Sequence, residues 1–263
     1  MMRSLIRPLI LPSAAALVLT ALAGRASAQH FDALFMDDDG QLVAAGYNDA
    51  FMTYTPGLVR VFEGDVDPTE PGLQSHTQAE IDAAFGLGSF AALPTGEDLS
   101  FRFLPIAIGG TGSNLWFWPG GGAVDFQPVA GNSLTLTHPV SLDTATVTGS
   151  NTQVAGFTVD TSDGNGVVHQ HLESSLANGA IDGFTLLAMQ FEMAGLLDSE
   201  PLIYVLANGA VDEADHEAAV DWALENLVNA GPGGSGAIPE PSTLSLIVLG
   251  GLALRVRRRR SAG

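Results

Sequence analysis

Two imidazoles stand one residue apart in Val167-Val168-His169-Gln170-His171. On a strand, residues i and i+2 face the same way, so His169 and His171 project together. Zn²⁺ and Cu²⁺ favour nitrogen donors, and the chain has no Cys to offer thiolate instead. The pair supplies half of a metal site. The remainder has to come from His30, His76, His138, His216 or one of many carboxylates. Two other accounts stay open: exposed strand histidines, or a hydrogen-bonded structural pair.

Other stretches invite chemistry and give it up on inspection. Asp160-Thr161-Ser162-Asp163-Gly164-Asn165-Gly166 alternates acids and amides like a calcium loop. An EF-hand needs flanking helices and a bidentate Glu at its twelfth position, so a tight turn between strands is expected. Met36-Asp37-Asp38-Asp39-Gly40 reads as a solvated hairpin turn. Asp212 to Glu217 carries His216 but has Val220 where a His-Glu-x-x-His motif needs its second His. Trp116 and Trp118 share a strand face and, if exposed, would form a stacking platform for a sugar; aromatics there are more often core. No Gly-x-Ser-x-Gly elbow is present, and Gly109-Gly110-Thr111-Gly112 lacks the Lys-Ser/Thr of a phosphate loop. Nothing marks a catalytic residue, and the expectation is a protein that is not an enzyme.

The elements that must position these residues are mostly strands. Alternating or β-branched runs occur at Leu42 to Ala45, Leu58 to Phe62, Leu99 to Ile108, Leu115 to Trp118, Val124 to Pro128 and Ser133 to His138. They continue at Ala145 to Thr148, Gln153 to Asp160, Gly166 to Ser174, Gly183 to Met193 and Leu202 to Ala207. Gly-rich turns separate them. The pattern predicts a mainly β fold, an antiparallel β-sandwich of Ig-like or jelly-roll-like kind. Two short helices are expected. Thr77 to Phe85 carries the Thr77/Glu80 capping-box spacing, and Asp212 to Val228 has a cap, acids in its first turn and an apolar stripe.

Charge excludes one class of partner. There is no Lys, and the stretch from Gln29 to Ile238 holds 28 acids against two Arg, a net charge of −26. Such a body is repelled by phosphate backbones, so no nucleic-acid partner is expected.

The ends read as addresses. Arg3 and Arg7 precede an apolar run from about Leu9 to Ala23, and Ala26-Ser27-Ala28 fits signal-peptidase cleavage. A signal helix over 1–28 is therefore expected, leaving Gln29-His30 as the mature terminus. The body spans 29–229, a Gly/Pro/Ser linker 230–237, and a C-terminal tail 238–263. In that tail Pro239-Glu240-Pro241 precedes an apolar helix, read as a short transmembrane helix, and then Arg257, Arg258, Arg259 and Arg260. This three-part tail is similar to the PEP-CTERM sorting signal of Gram-negative bacteria. The resemblance implies transient anchoring in the inner membrane, recognition and tail removal by an exosortase, and delivery to the cell surface or extracellular matrix, with exopolysaccharide as an expected contact.

A looser resemblance concerns the body. Gly110-Thr111-Gly112-Ser113-Asn114-Leu115-Trp116-Phe117-Trp118-Pro119 followed by His169-Gln170-His171 resembles surface-anchored His-x-His domains of actinobacterial, planctomycete and cyanobacterial exported proteins. That resemblance implies zinc handling, with His169 and His171 as matching positions and His30 as the His near the mature terminus. Leu172 and Glu173 stand where those domains carry an aromatic or Asn. The function expected is a non-enzymatic surface or matrix protein holding a divalent metal, or else a carbohydrate-binding module using Trp116 and Trp118.

Overall fold

The computed structural model of the 263-residue chain describes residues 32–48, 51–177, 181–229 and 236–237. Strands β1 Asp32–Asp38, β2 Gln41–Asn48, β3 Thr53–Leu58, β4 Val61–Asp65 and β5 Gly72–Ser75 precede helix α1 Gln78–Phe85. Then follow β6 Asp98–Leu104, β7 Ile106–Ile108, β8 Thr111–Ser113, β9 Trp116–Trp118, β10 Gln127–Pro128, β11 Leu134–Thr137, β12 Thr144–Val147 and β13 Val154–Thr161. Next come β14 His169–His171, β15 Glu173–Leu176, β16 Gly183–Met193, β17 Leu202–Asn208, helix α2 Glu213–Ala223 and, at the end of the described residues, β18 Gly236–Ala237, which pairs with β7.

Two large sheets enclose the main core. The first has the order β14-β5-β1-β2-β3. The second is built on the eleven-residue β16, flanked on one side by β17 and β4, and on the other by β9 with β10 and by β6 with β13. Phe35 of β1 and Phe191 of β16 meet across the interior with ring centroids 4.6 Å apart. Ala33, Leu73, Leu187, Met189 and Tyr204 are buried in the same cluster.

Each sheet also buries part of its outer face. Ile81 of α1 packs on Leu34, Met36, Ala45 and Tyr47, while Ala219 and Ala223 of α2 pack on Leu186, Ala188, Ile203 and Val205. This is why β16 and β17 read as continuous apolar runs rather than alternating ones: both of their faces lose water. A purely antiparallel arrangement is thus corrected. β5 runs parallel to β1, and β4 parallel to β17.

The expected strand Leu58 to Phe62 is two strands in different sheets. The chain crosses between them at Val59-Arg60, where the Arg60 guanidinium donates to the Pro201 carbonyl and pairs with Glu200 at 2.8 Å. Val124 to Pro128 forms a strand only at its end, in β10. Both helices start where expected. The Glu80 carboxylate accepts the Thr77 N–H at 2.9 Å, and Asp212 accepts the Ala214 N–H at 2.8 Å. α2 then loosens into a π-helical segment over Leu224–Val228. The two acidic loops are turns: Asp37 caps Gly40 N–H at 2.6 Å, and Asp163 accepts from Asn165 and Val167 at 2.7 and 3.0 Å.

The transmembrane-helix expectation is corrected: among the described residues no helix is long and apolar enough to cross a membrane. The tail on which it fell, like the expected signal helix, lies outside the described residues.

Candidate functional site

Strand β14 forms one edge of the first sheet and pairs antiparallel with β5, placing His169 opposite Gln74 and His171 opposite Gly72. The imidazoles project together as the i, i+2 rule requires, with Nε2 of His169 3.3 Å from Nε2 of His171. His171 Nδ1–H donates to the Thr69 carbonyl at 2.9 Å, which leaves the lone pair on Nε2. A donor to a backbone carbonyl on the far nitrogen is the usual support of a metal-bound imidazole. Two nitrogens at tetrahedral angles around Zn²⁺, each about 2.0–2.1 Å from it, stand about 3.3 Å apart. The pair has that spacing. The same distance also accommodates a long N–H···N hydrogen bond between the rings.

Behind the pair lies Asp32, buried to 8 % exposure at the start of β1. Its Oδ2 is 4.0 Å from His171 Nε2 and accepts the Gln74 amide N–H at 2.8 Å. Gln74 Oε1 meets His76 Nε2 at 3.2 Å, and His76 Nδ1 meets the Tyr54 hydroxyl at 2.9 Å. A string of polar groups therefore crosses the first sheet from Tyr54 to the histidine pair. Glu70 adds a second carboxyl, its Oε2 accepting the Gly72 N–H at 3.3 Å. Burial, then the neighbouring Asp32 charge, push its carboxyl up to about 8, against the pull of the Gly72 N–H. The Tyr204 hydroxyl is buried with no hydrogen-bond partner among the described residues, and burial with the Glu70 and Asp32 charges pushes its phenol up.

The other expected ligands lie elsewhere. His138 is held in the core, its Nε2 at 2.9 Å from the Val159 carbonyl and its Nδ1 accepting from Val140 and Ser141. His216, on α2, is buried with Nε2 3.1 Å from the Val205 carbonyl. His76 serves the polar string. His30 lies outside the described residues. Among the described residues no three His, Cys, Asp or Glu side chains converge closely enough to hold a metal as they stand.

The tryptophans are core, and the sugar platform is corrected accordingly. Trp116 and Trp118 are each 2 % exposed; the Trp116 indole N–H donates to the Ser113 carbonyl at 3.0 Å, and Trp118 stacks on Phe184. Neither ring offers a face to a ligand.

Sequence reasoning missed Asp32, Gly72 and Gln74. β1 lacked regular alternation and β5 has only four residues. The available signal was chemical: an acid and an amide set among residues that bury completely.

Residues 237–260 match the PEP-CTERM protein-sorting motif. This C-terminal sorting motif is consistent with an exported, exosortase-processed PEP-CTERM protein, a class whose signal is characteristic of non-catalytic surface proteins. Pro239, Glu240, Pro241 and the four Arg from 257 to 260 all fall inside the matched segment. No curated protein and no solved structure matches the chain.

Proposed function

We propose that this exported protein, sorted to the surface or matrix by exosortase, binds a divalent metal of the zinc class between His169 and His171. The observation that supports the reading is the 3.3 Å separation of the two Nε2 atoms, with the His171 tautomer fixed by Thr69. His30, two residues ahead of Asp32 in the sequence, is proposed as a further ligand. The acidity of the body, −26 between Gln29 and Ile238, suits a surface that gathers cations.

Thermal melting of the mature protein in a zinc titration tests this. At a free zinc concentration about a hundred times Kd, binding to the folded state adds about 2.7 kcal/mol. The gain is expected to vanish in the His169→Ala/His171→Ala double variant, whose zinc-free melting stays near wild type. A wild type indifferent to zinc makes the pair a hydrogen-bonded surface feature and overturns the proposal.

A further inference from the structure

We infer that Asp32 is the anionic ligand of the same metal, admitted to it by the missing side chain of Gly72; this rests on the reading of His169 and His171 as ligands. Three strands carry the argument. Ala33 pairs with Leu73 and His171 with Gly72, so Asp32, Gly72 and His171 lie in one row across β1, β5 and β14. The middle residue has no side chain. A Cβ built on Gly72 would stand 1.9 Å from Asp32 Oδ1 and 2.4 Å from its Cγ. Any other residue at this position therefore evicts the carboxylate from the gap through which it approaches β14.

The carboxylate is also aimed. Gln74 holds Oδ2 from the β5 side at 2.8 Å, and Gln74 is itself held by His76. Oδ2 consequently lies 4.0 Å from His171 Nε2. Tetrahedral donors around zinc stand about 3.3 Å apart, so relative to His171 the carboxylate is within about 1 Å of ligand spacing. The His171 side chain, 38 % exposed, is free on its solvent side to close that difference. Two neutral imidazoles and one carboxylate leave a Zn²⁺ centre with a single net positive charge. That donor set suits Zn²⁺ and disfavours Cu⁺, which prefers soft thiolate and thioether ligands.

The test is calorimetric titration of the mature protein with ZnCl₂. Asp32→Asn keeps the volume and an acceptor for Gln74 but removes the charge; it is expected to weaken zinc at least tenfold, and to leave the zinc-free protein folded with a melting temperature shifted only by relief of its repulsion with Glu70. Gly72→Ala is expected to weaken zinc similarly. Binding by Asp32→Asn within twofold of wild type overturns the Asp32 assignment and leaves the histidine pair standing. Absence of binding by wild type overturns both. Should either variant fold poorly, X-ray absorption at the zinc edge of the loaded wild type decides: imidazole plus a carboxylate carbon shell supports Asp32, and imidazole without it overturns the assignment.

Discussion

Trp116 and Trp118 on β9, and His169 and His171 on β14, are both pairs spaced by two on strands of three residues, yet they meet opposite surroundings. β9 lies inside the second sheet between β16 and β10, and its tryptophans share a cluster with Ala219, Ala223 and Leu227 of the overlying helical segment. β14 lies at the edge of the first sheet, and α1 packs further in, on residues of β1 and β2. The i, i+2 spacing sets which way two side chains point. Whether that direction is core or solvent depends on the layer that covers the strand, and here one pair is roofed and the other is not.

The sharpest way to break this comparison is to truncate one member of each pair. Trp116→Ala removes a fully buried indole and its hydrogen bond to Ser113, at an expected cost of about 3–5 kcal/mol in urea unfolding. His169→Ala, on an exposed side chain, is expected to cost less than about 1 kcal/mol. Equal losses would mean that the edge strand is as integral to the fold as the interior one.

The same contrast explains what was legible in the sequence. The His-x-His pair, the two caps at Thr77 and Asp212, and the long β16 were readable because each depends on local spacing or propensity. The tryptophans were legible only as a tendency toward core, because the residues that bury them, on β16, in the β10 region and in the distant helical segment, are brought together by tertiary packing. Asp32 and Gly72 were invisible for a related reason. Their adjacency arises from a parallel pairing of β1 with β5, which local patterns do not encode. The break at Val59-Arg60 was missed because a tertiary ion pair with Glu200, and no turn residue, marks it.

The histidine end differs from the tryptophan end in electrostatics as well. Glu70 has its carboxyl raised to about 8 by burial and by Asp32, so the folded state retains a proton that the unfolded chain releases above about 4.5. Its contribution is fully present below pH 4.5 and is lost as pH rises through about 8. In the presence of a chelator, stability is expected to fall between pH 5 and pH 8 by about 1–2 kcal/mol, a value reduced for screening because Glu70 is only half-buried. Glu70→Gln should flatten that profile and be the more stable protein at pH 8. An unchanged slope, followed by urea unfolding, would place the Glu70 carboxylate in water.

The smallest effect concerns the roof itself. Asp212 accepts the Ala214 N–H at the start of α2 and so holds the helix end that covers the tryptophan cluster. Asp212→Ala is expected to cost about 1 kcal/mol, and Asp212→Asn, which can still cap, only a fraction of that. The loss alone would say little, since any capped helix suffers it. Acrylamide quenching of tryptophan fluorescence in a Trp222→Phe background, which removes the tryptophan carried by α2 itself, separates the cases. If α2 is what distinguishes the two pairs, Asp212→Ala raises quenching while zinc affinity at the far sheet stays unchanged. If quenching stays flat while stability drops, β10 and Phe126 suffice to keep Trp118 dry, and burial at β9 belongs to the sheet rather than to the helix above it.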